Sequence, residues 1–303
     1  MAAHEETERL PRKEAFVTMI TSDDFAPGIE ALLASITSSQ PSSSAGRPVL
    51  VMVTSGVSSR VRDKIKKGGG KLVEVESMGV PEQRAVDAGA AGTTQAKQAT
   101  PSTAVTHVTS WVDTGYTKLG LWGFGTKEMG AWEAVVYVDA DAIVLEDLSP
   151  VFARVSTACP LVAAPDVFPP DRFNAGVLGV ALDDDGSTLA DMKTKLLELG
   201  TYDGGDTGFL NNYFSNWFQR PESARLPFRY NAQRTMHWLT HDKQPGYWEC
   251  CKPIAVLHFS SNPKPWQVPD KKGELELIWW QYFMQAQLQA SLGVDFASAL
   301  SGF

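Results

Sequence analysis

The sequence is poor in cysteine, with three residues in a chain of 303. Cys250 and Cys251 are adjacent and Cys159 stands alone, a spacing that does not form the framework of a disulfide-rich secreted protein. The sequence also lacks any Asn-x-Ser/Thr glycosylation site in which x is not proline. Together these absences predict a reducing, cytoplasmic location.

Long apolar runs and basic clusters are missing as well. The longest early apolar run, Ala15–Ile20, is too short for the core of a signal peptide, and no segment approaches the ~18 apolar residues of a membrane span. The formal net charge is −8. An acidic chain of this kind argues against a nucleic-acid or anionic-membrane partner.

Apolar strands and amphipathic helices alternate in the first part of the chain. Buried strands are predicted at Ala15–Ile20, Val49–Val53 and Lys71–Val75. The apolar residues between them follow helical spacing, at Ile29, Leu32, Leu33 and Ile36 and again at Val57, Val61 and Ile65. This order predicts an α/β fold whose mostly parallel central sheet is flanked by helices. Further strands are predicted at Ala134–Val138, Leu161–Ala164, Val177–Leu182 and Ile254–Phe259, and further helices at Tyr116–Phe124, Thr188–Leu199 and Gly208–Phe218.

The composition of the chain predicts a single domain over residues 15–303, without an internal repeat or a clear linker. Residues 1–14 are polar and are expected to be disordered. Residues 80–110 contain few large apolar side chains and are expected to form a mobile surface loop. A C-terminal helix is predicted over residues 274–292.

The strongest chemical signal is a pair of aspartates at the end of the predicted strand Ala134–Val138. Asp139 and Asp141 follow this unbroken apolar run directly. Ligands of open α/β sheets bind at the carboxyl ends of strands, and two hard oxygen ligands suit Mg²⁺ or Mn²⁺. The alternative is that the two carboxylates simply cap a turn.

A second signal lies near the end of the predicted strand Ile254–Phe259. His258 is the best further metal ligand, and a neutral imidazole suits Mn²⁺ better than Mg²⁺. Lys264 follows six residues later, beside a proline and a tryptophan, and an ammonium near a metal suits a diphosphate leaving group. The alternative for His258 is a packed structural side chain.

Seven short motifs occur in one order along residues 15–266, and together they resemble the glycogenin-like glycosyltransferases of family 8. The motifs are Phe16–Thr21, Thr117–Leu119, Tyr137–Asp141, Phe173–Val177, Asp203–Asn211, Tyr230–Asn231 and His258–Trp266. The resemblance implies a GT-A fold and a retaining transfer of glucose or galactose from a UDP-sugar. It also implies Mn²⁺, with Mg²⁺ as the alternative metal, and a homodimer, since members of the family often dimerise.

Carried over position by position, the resemblance assigns a role to each matching residue. The metal ligands would be Asp139, Asp141 and His258. The catalytic residues would be Lys118, Asp203 and Asp206. The donor-binding residues would be Met19, Ile20, Ser22, Phe25, Lys118, Ala140, Asn174, Ala175, Asp206, Thr207, Ser261 and Lys264.

The sequence departs from the family pattern at three places. Thr207 stands where a glutamine is common, and Ser261 replaces the glycine of a His-x-x-Gly pattern. The acceptor tyrosine expected shortly after Tyr230-Asn231 is missing, and the next tyrosine is Tyr247. The missing tyrosine favours a separate acceptor, which is a protein-linked glycan, an oligosaccharide or a polyol such as inositol. Thr207 and Ser261 instead favour a protein that binds a UDP-sugar without turnover.

Three other readings stay open at this point. The chain is a self-glucosylating primer that uses Tyr247, or it binds a UDP-sugar without turning it over. A phosphotransferase of the haloacid-dehalogenase kind also ends an apolar strand in Asp-x-Asp, but its nucleophilic aspartate is expected early in the chain rather than at Asp139.

Overall fold

The computed structural model describes residues 12–40, 46–79, 115–270 and 272–292. Within these residues the chain forms nine strands: β1 (Glu14–Ile20), β2 (Val49–Val53), β3 (Gly70–Glu74), β4 (Ala134–Val138), β5 (Ala142–Val144), β6 (Leu161–Pro165), β7 (Phe173–Ala181), β8 (Ala232–Gln233) and β9 (Val256–His258). The α-helices in the same residues are α1 (Ala26–Ser39), α2 (Ser59–Lys67), α3 (Ser149–Arg154), α4 (Ser187–Leu199), α5 (Asp206–Tyr213), α6 (Arg234–Thr240), α7 (Tyr247–Cys250) and α8 (Glu274–Leu292).

Six of these strands form one large sheet in the order β3-β2-β1-β4-β7-β6. β3, β2, β1 and β4 pair in parallel, and β7 pairs antiparallel with both β4 and β6. The remaining three strands form a small sheet in the order β5-β9-β8. The predicted α/β architecture with a mostly parallel central sheet is therefore confirmed.

β4 is buried on both faces, as its unbroken apolar sequence predicts. Val136 and Val138 pack into the layer that contains the apolar face of α1, whereas Val135 and Tyr137 pack into the layer that contains Leu119. The strand is held between two apolar layers, so the residues that follow it have a fixed exit point.

α8 packs on α1 and shares an apolar cluster with the small sheet. Its Trp279 is fully buried and lies with Phe228, Trp248 and Leu257 in a separate apolar cluster. The Trp279 ring lies 5.4 Å from the ring of Trp266, so the C-terminal helix supports the segment that follows β9. The predicted C-terminal helix over residues 274–292 is confirmed.

Several predicted boundaries need correction. β7 begins at Phe173 rather than Val177, and the helix predicted at Gly208–Phe218 ends at Tyr213. A 3-10 helix occupies Tyr116–Gly125, where ordinary helical spacing suggested an α-helix. Glu14 belongs to β1, so the disorder expected for residues 1–14 does not extend to its end. Residues 1–11 lie outside the described residues. The loop expected at residues 80–110 lies outside them as well.

None of the described helices is both long enough and apolar enough to cross a bilayer.

Candidate active site

A cavity of about 240 Å³ opens where the carboxyl ends of β1 and β4 meet the small sheet. Open α/β sheets bind ligands at this edge. The side chains and main chain that line it come from Met19, Ile20, Thr21, Phe25, Gly115, Lys118, Tyr137, Asp139, Ala140, Asp141, Asp166, Asn174, Asp203, Asp206, Thr207, His258, Ser260 and Lys264.

Asp139 and Asp141 lie where the chain passes from the large sheet to the small one. The main chain makes the turn itself, since the amide of Ala142 donates to the carbonyl of Asp139 at 3.1 Å. The carboxylates instead contact other side chains: the Tyr137 hydroxyl donates to Asp139 Oδ1 at 2.7 Å, and Asp141 Oδ1 lies 3.2 Å from His258 Nε2. The turn-capping alternative therefore does not account for the two carboxylates.

His258 is held in a defined orientation towards these carboxylates. Its Nδ1 lies 2.7 Å from Oδ1 of Asn231, while Nδ2 of Asn231 donates to Oδ1 of Asn174 at 2.9 Å. Because the asparagine oxygen only accepts, Nδ1 of His258 donates to it, and Nε2 is the ring nitrogen left for the cavity. Nε2 faces the carboxylate of Asp141.

A ring nitrogen and a carboxylate oxygen that face each other at this distance share either a proton or a metal ion. One oxygen or nitrogen from each of Asp139, Asp141 and His258 lies within 4.8 Å of the others, close enough to share one ion. Two carboxylates and one neutral imidazole are a donor set that suits Mn²⁺. The residues present therefore fit a divalent metal.

Gly176 makes room for this imidazole. A Cβ atom at Gly176 would overlap the imidazole ring of His258 and crowd the side-chain oxygen of Asn174. The amide of Gly176 also donates to Asn174 Oδ1 at 2.9 Å. The Phe173–Val177 motif thus supports the candidate metal ligand as well as the cavity wall.

Lys118 lies on the large-sheet side of the cavity between two carboxylates. Its Nζ is 2.6 Å from Asp206 Oδ2, 3.1 Å from Asp139 Oδ1 and 3.2 Å from the carbonyl oxygen of Ala175. Burial disfavours the charged amine, but the attraction of Asp139 and Asp206 outweighs it and raises the pKa of Lys118 above its usual value. Lys118 therefore remains an ammonium at neutral pH.

Lys264 occupies the opposite, small-sheet side. Its Nζ lies 2.6 Å from Asp141 Oδ2, 2.8 Å from the carbonyl of Phe259 and 3.2 Å from the carbonyl of Ser260. An ammonium has three donors, so all of them are engaged. Burial alone would raise the pKa of Asp141, but Lys264 and His258 outweigh it and hold that pKa well below its usual range.

The Asp203–Asn211 motif forms the floor of the cavity at the start of α5. Oδ1 of Asp203 accepts hydrogen bonds from the amides of Gly205 at 2.9 Å and Gly208 at 3.0 Å, so this carboxylate does cap the turn before the helix. Asp206 is 1% exposed, and burial raises the pKa of its carboxyl although Lys118 opposes the shift. Thr207 Oγ1 accepts from the amide of Ala175 at 3.3 Å.

The predicted donor-binding residues divide into those that line the cavity and those that do not. Most of them reach it, namely Met19, Ile20, Phe25, Lys118, Ala140, Asn174, Asp206, Thr207 and Lys264. Ser22, Ala175 and Ser261 lie outside the lining. The hydroxyl of Ser261 is 2.9 Å from a guanidinium nitrogen of Arg234, so it serves the loop after β9 rather than the cavity.

The cavity also contains side chains that the sequence prediction missed. Asp166 lies at the end of β6, and its Oδ1 accepts from Gln233 at 2.8 Å. Its position after a predicted apolar strand is the same signal that singled out Asp139, so it could have been found. Tyr247 lies outside the lining and packs on Phe228 with ring centroids 5.3 Å apart.

The charges around the cavity are unbalanced. Among the described lining residues, five carboxylates (Asp139, Asp141, Asp166, Asp203 and Asp206) face two ammonium groups (Lys118 and Lys264), an excess of three negative charges before His258 is counted. Such a cavity repels a diphosphate unless a multivalent cation accompanies it.

Several known proteins are similar to this chain in sequence. The family described as Glycosyl transferase family 8 matches residues 16–268. Glycogenin-1 of Caenorhabditis elegans is 28% identical over 256 residues, covering 84% of this chain and 51% of that protein. Glycogenin-1 of Homo sapiens is 27% identical over 287 residues, covering 89% of this chain and 71% of that protein. The chain thus spans about half the length of the nematode relative and less than three quarters of the human one.

Solved structures show the same architecture. The galactosyltransferase LgtC, crystallised with donor and acceptor sugar analogs, has a TM-score of 0.59 and 19% identity over 89% of this chain and 95% of that chain. The glycosyltransferase GlyE of Streptococcus pneumoniae TIGR4 has a TM-score of 0.55 and 18% identity over 94% of this chain and 64% of that chain. The fold is GT-A, and the chain belongs to glycosyl transferase family 8.

Proposed function

We propose that this chain transfers a hexose, glucose or galactose, from a UDP-sugar to a separate acceptor with retention of anomeric configuration, assisted by Mn²⁺. The observation that carries the proposal is the cavity in which five carboxylates outnumber two ammonium groups around the Asp139, Asp141 and His258 cluster. This cavity suits a ligand made of a divalent cation and a diphosphate together, rather than a diphosphate alone.

Asp139, Asp141 and His258 would hold the metal. Bound there, the ion would supply Lewis-acid stabilisation of the negative charge that develops on the diphosphate. Lys118 and Lys264 lie on opposite sides of the same carboxylate pair and would add fixed positive charge to the departing group. Lys264 would have to exchange one of its present contacts for a diphosphate oxygen.

The sugar would lie between Asn174, Asp203 and Asp206, on the floor of the cavity. Breaking the anomeric bond gives the sugar oxocarbenium character, and a nearby carboxylate stabilises that positive charge. Asp206 is buried and held by Lys118, so its position is set before any substrate binds. This preorganised carboxylate is the better candidate for that role, because Asp203 is engaged in capping α5.

A separate acceptor is favoured over self-glycosylation. The side chain of Tyr247 is 46% exposed, but it lies outside the cavity lining and packs against Phe228. A self-glucosylating primer would need an acceptor hydroxyl that reaches the sugar, either within one chain or from a second copy. Mass spectrometry of the purified protein for attached hexoses separates these two functions.

The direct test is a panel of UDP-sugars assayed for hydrolysis with Mn²⁺, with Mg²⁺ and with a chelator. We expect turnover of UDP-glucose or UDP-galactose that is highest with Mn²⁺ and is abolished by the chelator. Release of phosphate from p-nitrophenyl phosphate would indicate a phosphotransferase instead. Tight UDP binding without turnover of any sugar nucleotide would indicate a binding protein.

A further inference from the structure

Two exposed aromatic side chains lie close in sequence to aspartates of the cavity lining. Phe168 is 76% exposed and lies two residues beyond Asp166, and Tyr202 is 50% exposed and directly precedes Asp203. Both aspartates line the cavity. Exposed aromatic rings next to residues of a polar cavity offer a surface on which a ligand can pack.

The two aromatic segments are joined to each other. The loop that carries Phe168 closes on itself, because the amide of Asp166 donates to the carbonyl of Arg172 at 2.8 Å. The guanidinium of Arg172 then lies over the ring of Tyr202, 5.4 Å from its centroid. We call this surface, formed by Asp166, Phe168, Asp171, Arg172, Tyr202 and Asp203, the aromatic rim.

The aromatic rim is acidic as well as apolar. Burial, followed by the carboxylates of Asp203 and Asp166, raises the pKa of the Tyr202 hydroxyl to about 12. Asp171 adds a smaller upward effect, and the guanidinium of Arg172 opposes the shift. These interactions put three carboxylates and one guanidinium around the same phenol. The hydroxyl stays protonated at neutral pH and is available as a hydrogen-bond donor.

We propose that the aromatic rim binds the acceptor, and that the acceptor is an uncharged glycan whose terminal sugar packs a C–H face on Tyr202 and Phe168. This inference rests on the proposed glycosyl transfer. An aromatic ring supplies apolar contact for the C–H face of a pyranose, and carboxylates accept hydrogen bonds from its hydroxyls. The excess of carboxylates excludes acceptors that carry phosphate, sulfate or carboxylate groups, because like charges repel at short range.

The test compares matched neutral and anionic sugars as acceptors for the donor that gives the highest hydrolysis. Maltose, cellobiose and lactose serve as neutral probes, and 3′-sialyllactose is the anionic partner of lactose. We expect transfer to at least one neutral probe, and a kcat/KM for sialyllactose at least about tenfold below that for lactose or for the best neutral probe. The variant Asp171→Asn should bring the kcat/KM for sialyllactose closer to that for the neutral sugar, because it removes one carboxylate of the aromatic rim.

Variants of the aromatic rim distinguish a binding role from a structural one. Tyr202→Ala should raise the KM for the neutral acceptor about tenfold while the KM for the UDP-sugar changes less than about twofold, and Tyr202→Phe should restore most of the acceptor affinity. Phe218→Ala removes a comparably exposed aromatic residue that lies outside the cavity lining and is the matched control.

Each outcome bears on either the inference or the proposed function. An unchanged acceptor KM in Tyr202→Ala, equal use of sialyllactose and lactose, or hydrolysis without transfer to any neutral probe would overturn the inference and leave the proposed function standing. Failure of the wild-type protein to hydrolyse any UDP-sugar would instead contradict the proposed function on which the inference rests.

Discussion

The charged side chains are paired differently on the two sides of the cavity. On the large-sheet side, Lys118 is shared by two carboxylates, at 2.6 Å from Asp206 and 3.1 Å from Asp139. On the small-sheet side, Asp141 is shared by two nitrogen groups, at 2.6 Å from Lys264 and 3.2 Å from His258. The first side is therefore short of positive charge, whereas the second is balanced.

This difference explains why the candidate metal ligands come from both sides. Asp139 follows a strand of the large sheet, whereas Asp141 precedes β5 and His258 ends β9 of the small sheet. A cation held by all three would neutralise the side that lacks positive charge and would link the two sheets. Substitutions on the two sides of the cavity can test these charge arrangements separately.

The largest effect is expected from Asp141→Asn, which removes the carboxylate shared by His258 and Lys264. The amide keeps the size of the side chain but is a much poorer ligand for Mn²⁺. We expect Mn²⁺-dependent hydrolysis of the UDP-sugar to fall by about a thousandfold, as for the loss of one strong electrostatic contact at a reacting centre. Steady-state kinetics measures the change.

Asp242→Asn is the control for this prediction, because Asp242 is exposed and lies outside the cavity lining. It should leave the hydrolysis rate unchanged. An Asp141→Asn enzyme that retains more than about a tenth of the wild-type rate would show that Asp141 is not needed to hold a metal.

The second prediction compares Lys118→Met with Lys264→Met in urea unfolding. Lys118→Met leaves the buried carboxylate of Asp206 and the partly buried one of Asp139 without their shared ammonium, and it should lower the free energy of unfolding by about 3–5 kcal/mol. Lys264→Met should cost less, because His258 still contacts Asp141. Lys193→Met, at an exposed position of α4, is the control and should change little. Equal losses in the two variants would contradict the distinction between the two sides.

The third prediction concerns Asn231, which positions His258 without lining the cavity. Asn231→Ala removes the acceptor that keeps the proton on Nδ1 of His258, and it should weaken Mn²⁺ binding by about 10- to 100-fold. Asn231→Asp keeps an acceptor oxygen and should bind Mn²⁺ more tightly than the alanine variant. Calorimetric titration of Mn²⁺ gives both values, with Asn216→Ala as an exposed control. Identical Mn²⁺ affinities in all of these proteins would show that Asn231 does not position His258 for metal binding.

The large sheet was predictable because its strands are long and continuously apolar. Ala134–Val138 could be identified as a buried strand with Asp139 and Asp141 at its end, and the structure agrees at each boundary. The small sheet was harder, since β5 has three residues and β8 has two, too few for a periodic pattern. Only β9 was anticipated, through the apolar run before His258.

The candidate site was likewise predictable only in part. The motif order identified the positions of Lys118, Asp206 and Lys264, but not what each ammonium contacts before substrate binds. Arg234 holds the carbonyls of Ser261 and Pro263, each at 2.9 Å, although nothing in its local sequence predicts this role. Contacts between residues 27 and 29 positions apart depend on how the loop after β9 folds, and local patterns do not report that.

The central claim, that the cavity accepts a diphosphate only together with a divalent cation, is tested most directly by titrating UDP into the protein with and without Mn²⁺. We expect the affinity for UDP to be at least about a hundredfold higher with Mn²⁺ than in the presence of a chelator. Equal UDP affinity under the two conditions would contradict it, because five lining carboxylates would then have to accommodate the diphosphate without a cation.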